Sequence, residues 1–281
     1  MHPEYIKKFL VFALEEDIGS SDITSELTVS SSVSCSAEII AKEECMVAGI
    51  PFVELVFNIL DPGIKFENML TDGSAVSKGD LIGVVSGNAR AVLAGERLAL
   101  NILQRLCGIA TLTNRFVDAV RSFDIRVTDT RKTTPGMRYM EKYAVRIGGG
   151  YNHRSGLYDG ILIKDNHVKV NGSISKAVSA CKKASHLMKI EIEASTLDEV
   201  KEALNSGADV IMLDNMNIND MESAVQYIKK RTADVLVEAS GNVTLDNIGE
   251  IASTGVDLIS SGALTHSAKA ADISMNIKIK S

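Results

Sequence analysis

Asn205-Ser-Gly-Ala-Asp-Val-Ile-Met-Leu-Asp-Asn215 and Ser253-Thr-Gly-Val-Asp-Leu-Ile-Ser-Ser261 are near-repeats of one another. Each closes a helix-periodic stretch with Gly, restarts on Asp, and runs through a short apolar strand into polar groups. The same rhythm extends in both directions. Strands are expected over 125–128, 160–163, 188–192, 209–213, 234–237 and 256–259, with helices over 174–184, 197–205, 221–230 and 245–253. Short apolar strands alternating with helices imply a parallel sheet covered by helices. Right-handed crossovers allow such units to curl into a barrel.

The polar residues decide between a barrel and an open sheet. Every expected strand ends, on its C-terminal side, in reactive groups: Asp129/Arg131/Lys132, Lys164/Asp165, Glu191/Glu193, Asp214/Asn215, Glu238/Ser240 and Ser260/Ser261. A β/α barrel brings all of these to the face where such folds keep their active sites. An open doubly wound sheet would also gather groups at one edge. All six ends are decorated, however, and no Rossmann-type glycine fingerprint follows the first strand, so the barrel is preferred.

Three kinds of group share this face. Arg131, Lys132, His153, Arg154 and Lys164 are cationic, suited to carboxylates and phosphates. From Ile125 to Val170 there are five Arg and four Lys against three Asp and one Glu, a surplus of +5 in a chain of formal net charge −6. Glu193 and Asp214 are acidic; they can hold a divalent ion or stabilise positive charge developing on a substrate. Glu191 shares a strand face with Glu193, so spacing leaves the choice between them open. Ser240-Gly-Asn242 and Ser261-Gly-Ala263 are small and donor-rich, as phosphate-binding turns are. His167 and His266 are candidate acid–base groups.

The first part of the chain reads differently. An amphipathic helix ends at Gly19, and from about Ser32 to Ser86 short strands alternate with turns, with a helix near 51–60. From Ala91 to Arg121 the pattern is helical, and Gly108 is expected to interrupt it. That interruption sets the expected boundary between a domain over 1–108 and a β/α barrel over 109–267, with the tail 268–281 packing on the first. Asp72–Ile82 has the local texture of a lipoyl-type hammerhead, but Lys78 falls in the turn. The acidic balance, with pI near 5.5, argues against nucleic acid and acidic membrane as partners. Four scattered cysteines without metal or disulfide spacing, no signal-peptide pattern and no long apolar run make a cytoplasmic protein the expectation.

The chain carries, in order, Gly95-Glu-Arg-Leu-Ala-Leu-Asn, Asp129-Thr-Arg-Lys-Thr-Thr-Pro-Gly, Gly148-Gly-Gly-Tyr-Asn-His-Arg, Ile163-Lys-Asp-Asn-His, Leu213-Asp-Asn, Glu238-Ala-Ser-Gly and Gly262-Ala-Leu-Thr-His-Ser. Together and in this order these motifs resemble the quinolinate phosphoribosyltransferase (nicotinate-nucleotide pyrophosphorylase, carboxylating) family. The resemblance implies an incomplete β/α barrel with an N-terminal α/β sandwich domain. It implies transfer of phosphoribose from phosphoribosyl pyrophosphate to quinolinate with decarboxylation, giving nicotinate mononucleotide, with Mg2+ required. Arg131, His153, Arg154, Lys132 and Lys164 would then line the substrate pocket, and Lys132, Lys164, Glu193 and Asp214 would serve the chemistry. Glu193 and Asp214 would lie near ribose and metal, reaching the ion directly or through water or pyrophosphate. Ser240, Gly241, Gly262 and His266 would surround the 5′-phosphate. Arg97 matches an arginine that completes the neighbouring subunit's site, which implies a homodimer or an assembly of dimers. Ser20-Ser21-Asp22, Met137 and Ser155 depart from the family's usual residues but remove no charged site group.

Overall fold

The structure, a computed structural model, describes residues 3–279; the outermost residues of the expected first domain and of the expected tail lie outside this range. In chain order the elements are α1 (Pro3–Ile18), α2 (Ile23–Thr28), β1 (Ser34–Ala41), β2 (Cys45–Met46), α3 (Ile50–Leu60), β3 (Lys65–Asn68), β4 (Ala75–Val76), β5 (Leu81–Asn88) and α4 (Ala89–Ala119). Then follow β6 (Arg126–Thr128), α5 (Arg138–Ile147), β7 (Ile161–Ile163), α6 (Asp165–Asn171), α7 (Ile174–Cys181), β8 (Ile190–Ala194), α8 (Leu197–Ser206), β9 (Val210–Asp214) and α9 (Ile218–Lys229). The chain closes with β10 (Leu236–Ser240), α10 (Ile248–Ser253), β11 (Leu258–Ser260), α11 (Ala263–His266) and β12 (Ile273–Ile279). Among the described residues they form two compact units: residues 3–113, 134–149 and 267–279, and residues 114–133 with 150–266.

The first unit holds an antiparallel sheet of order β12-β1-β5-β3. β1 alternates strictly, burying Cys35, Ala37, Ile39 and Ala41, as a sheet with one covered face requires. α3 buries Ile50, Phe52, Val53, Val56 and Phe57. Asp72 accepts the Gly49 and Ile50 N–H groups at 2.9 and 3.1 Å, so a carboxylate satisfies orphan donors where α3 begins.

The expected interruption at Gly108 is absent, and α4 is continuous through it. The glycine serves close approach. A Cβ there would lie 2.0 Å from the Lys269 carbonyl oxygen. The segment leading into β12 lies against α4 at this point: Ala271 N–H donates to the Gln104 carbonyl at 2.9 Å, and Arg105 Nη1–H to the Ala268 carbonyl at 2.9 Å. Helix-breaking propensity and contact with a neighbouring backbone leave the same letter in a sequence.

The second unit is a six-stranded parallel sheet of order β6-β11-β10-β9-β8-β7. β11 returns to pair with β6, as in a barrel, while no ladder joins β6 to β7 among the described residues. The parallel bridge of β6 Thr128 is to Tyr151 instead, so the barrel is incomplete at this seam. The near-repeat Asp residues have a definite task. Asp209 Oδ2 accepts the Ile190 N–H and Asp257 Oδ2 the Val237 N–H, both at 2.7 Å, tying the start of one strand to its neighbour. Thr196 and Asn217 cap α8 and α9 through their side chains.

Candidate active site

Strand parity sets the interior of the second unit. Ile190, Ile192 and Ala194 of β8 are buried on the side away from the barrel interior, which leaves Glu191 and Glu193 on the inner side. The registers place Glu191 level with Leu162 and Val210, and Glu193 level with Met212. The two glutamates therefore occupy successive layers, which resolves the ambiguity left by spacing.

A cavity of about 470 Å³ opens at the C-terminal ends of these strands. Its lining includes Arg131, Lys132, His153, Arg154, Lys164, Glu193, Asp214, Ser240 and Gly241, together with Asn215 and Asn242. Four fixed cations and a histidine thus face two carboxylates. Lys164 Nζ pairs with Glu193 Oε1, and the Asp165 N–H lies 3.4 Å from Glu193 Oε2. Arg154 Nη1–H donates to the Gly160 carbonyl at 3.0 Å. Burial lowers the pKa of Arg154, and the nearby Arg131 charge lowers it further. Two guanidinium groups that feel each other's charge on one cavity wall favour an anion between them.

His153 is held from three directions. Its backbone N–H donates to buried Asp129 Oδ1 at 2.9 Å, and Asn152 Nδ2–H donates to Asp129 Oδ2 at 2.6 Å. Its Nδ1 accepts the Arg154 N–H at 2.8 Å, and its Nε2 lies 3.0 Å from Glu191 Oε2. An accepting Nδ1 places the ring proton on Nε2, directed at Glu191. Behind it Glu238 is 1% exposed, with Oε1 3.9 Å from the same nitrogen. Burial and the Glu191 charge push the Glu238 carboxyl up to about 8. Sequence reasoning assigned no role to Asp129 or Glu238. Their position at strand ends was visible, but a supporting role depends on a partner distant in sequence.

The loop after β10 is shaped by backbone geometry. Asn215 and Asn242 are the non-glycine residues with positive φ among the described residues, at 54° and 50°, and Asn242 Nδ2–H donates to Asn215 Oδ1 at 2.9 Å. Gly241 lies between, with φ 94° and with Asn215 Oδ1 2.3 Å from where a Cβ would stand. Strained residues clustered at a cavity rim mark a preorganised binding loop.

The remaining expected residues lie apart from this lining. Gly262 sits beside Lys132, whose Cδ would be 2.8 Å from a Cβ there, and beside the exposed His266. His167 is exposed and accepts the Lys164 N–H through Nδ1 at 2.8 Å, so it caps α6 instead of facing the cavity. Arg97 is exposed on α4 in the first unit.

Residues 22–107 match the family model described as quinolinate phosphoribosyl transferase, N-terminal domain, and residues 109–276 match its C-terminal domain. The chain is 45% identical over 278 residues to a probable nicotinate-nucleotide pyrophosphorylase [carboxylating] of Bacillus subtilis, covering 98% of this chain and 94% of that one. Among solved structures it is similar to NadC from Streptococcus pyogenes, with TM-score 0.93, 39% identity, and coverage of 100% and 99% of the two chains. It is also similar to the nicotinate-nucleotide pyrophosphorylase from Francisella tularensis, with TM-score 0.92, 39% identity, and coverage of 99% and 98%.

Proposed function

The chain belongs to the quinolinate phosphoribosyltransferase family, and we propose that the strand-end cavity of its second unit is where the family reaction takes place. That reaction is phosphoribosyl transfer from phosphoribosyl pyrophosphate to quinolinate with decarboxylation, a pentosyltransferase step of NAD biosynthesis. The observation that supports the location is the lining of one cavity by Arg131, Lys132, Arg154, Lys164 and His153 opposite Glu193 and Asp214. Quinolinate is a dianion and the donor carries several more negative charges, so fixed cations must hold both together.

In this reading Arg131, Arg154 and His153 bind the ring carboxylates and aim the ring nitrogen at the anomeric carbon. Lys132 and Lys164 take the phosphate oxygens, with Lys164 exchanging its Glu193 partner for substrate. Ser240 and Gly241, with Gly262 and His266 beside Lys132, surround the 5′-phosphate. As pyrophosphate departs, the ribosyl group acquires oxocarbenium character, and the carboxylates of Glu193 and Asp214 stabilise it. Decarboxylation follows because the N-alkylated, positively charged ring stabilises the carbanion left behind.

The same two carboxylates are hard oxygen donors on one cavity wall, a set that suits Mg2+, which is held by one or two carboxylates together with substrate phosphates. When bound, directly or through water or pyrophosphate, Mg2+ would neutralise charge on the leaving group. We further assign the working form as a homodimer, or an assembly of dimers, in which Arg97 reaches the neighbouring subunit's site. The setting is the cytoplasm, and no described helix is long and apolar enough to cross a membrane. The test is nicotinate mononucleotide formation with quinolinate or nicotinate as acceptor. Quinolinate should be used, with equimolar CO2 released; preference for nicotinate would overturn the assignment.

A further inference from the structure

We propose that His153, Glu191 and Glu238 form a second cation site, separate from Glu193 and Asp214, that takes a borderline divalent metal such as Zn2+ and opposes substrate binding when filled. One ligand atom from each residue lies within 4.8 Å of the other two. His153 Nε2 is 3.0 Å from Glu191 Oε2 and 3.9 Å from Glu238 Oε1. Neighbouring ligands around tetrahedral zinc stand about 3.3 Å apart, given metal–ligand bonds near 2.0–2.1 Å, so small side-chain adjustments would suffice. One imidazole with two carboxylates suits zinc or cobalt better than magnesium.

A second observation points to a ligand. Glu238 is almost completely buried and its carboxyl leans on Ser260 and Glu191, yet its Oε1, 3.9 Å from His153 Nε2, makes no bond of its own, and neither does Glu191 Oε1. A divalent ion between the two buried carboxyl groups would take the place of the proton that Glu238 holds there and would offset both charges. The cluster also has an approach. A second cavity of about 510 Å³, lined in part by Ile161, Val210, Leu236 and Leu258 at the starts of β7, β9, β10 and β11, is also lined by His153, Glu191 and Glu238 and leaves room for a water as fourth ligand.

The antagonism follows from the imidazole. A metal on Nε2 needs that nitrogen's lone pair, so the ring proton must move to Nδ1. Nδ1 now accepts the Arg154 N–H. Two N–H groups cannot face each other, so filling the site breaks the bond that joins His153 to Arg154 in the neighbouring cavity.

The test uses the chelator-treated full chain and does not depend on turnover. Co2+ titration followed by visible d–d absorption should show one saturable site per chain, displaced by Zn2+. Glu238→Gln, checked for folding by circular dichroism, should weaken binding at least tenfold, and Asp214→Asn should leave it unchanged. On the wild-type chain, cobalt should produce paramagnetically shifted ring protons from one histidine, a reading that stands whether or not the variant folds. The proposal is overturned if no histidine resonance shifts, if Asp214→Asn removes the binding, or if thiolate charge-transfer bands show that cysteines hold the ion. With the site confirmed, Zn2+ should raise the KM for quinolinate in the wild type and not in Glu238→Gln; an unchanged wild-type KM would overturn the antagonism.

Discussion

Gly108→Ala sets two physical effects of opposite sign against each other. Helix propensity alone favours Ala over Gly in a helix interior by about 1 kcal/mol. The geometry opposes it, because the new Cβ would stand 2.0 Å from the Lys269 carbonyl oxygen, and real Cβ contacts essentially never fall below 3.0 Å. About 1 Å must come from backbone movement, since neither atom lies on a flexible side chain. That movement pulls on the bonds from Ala271 to Gln104 and from Arg105 to Ala268. Overpacking costs about 1–3 kcal/mol and each weakened hydrogen bond about 0.5–1.5 kcal/mol. After the propensity gain is subtracted, the variant should be less stable by about 2 kcal/mol. With an m-value near 3 kcal/mol/M, the urea midpoint should fall by roughly 0.7 M. An unchanged or raised midpoint at constant m would refute the close-approach account and restore the glycine to a mere weak point of the helix.

Other expectations concern the site. Mixing Arg97→Ala with Lys164→Ala chains under conditions of subunit exchange should restore about one quarter of wild-type activity, because half the dimers are hybrids and each carries one intact site; no recovery despite exchange would count against a shared site. Arg154→Lys loses the planar fork that now reaches Gly160 while facing the cavity, so kcat/KM for quinolinate should fall roughly ten- to a hundredfold, by about 1.5–3 kcal/mol. Glu238 carries a pKa raised from 4.5 to about 8, so the folded state binds that proton more tightly than the unfolded chain does. Its contribution to stability is full below pH 4.5 and is lost as pH rises through about 8. In the presence of chelator, Glu238→Gln should therefore flatten the fall in stability over that window; parallel pH profiles would show the group is not the source.

The site was more legible than its supports. Arg131, Lys164 and Asp214 could be placed at the cavity from strand ends alone, because parallel strands send their C-terminal residues to one face. Glu191 and Glu193 could not be separated, since parity gives a side of the sheet and not a depth; neighbouring-strand registers supplied the depth. Gly108 was misread because a helix breaker and a close contact look alike in one dimension. The Asp209 and Asp257 repeats were recognised as strand starts, but their bonds to Ile190 and Val237 join residues whose proximity exists only after folding.

The most direct measurement is CO2 release from quinolinate and phosphoribosyl pyrophosphate by folded Arg131→Ala and Lys164→Ala chains. Each removes one fixed charge from the cavity wall, worth about 2–5 kcal/mol when its partner is a buried anion, so release should fall roughly thirtyfold to several thousandfold while the unfolding midpoint stays near that of the wild type. Near-normal release by either folded variant would place the chemistry somewhere other than this cavity.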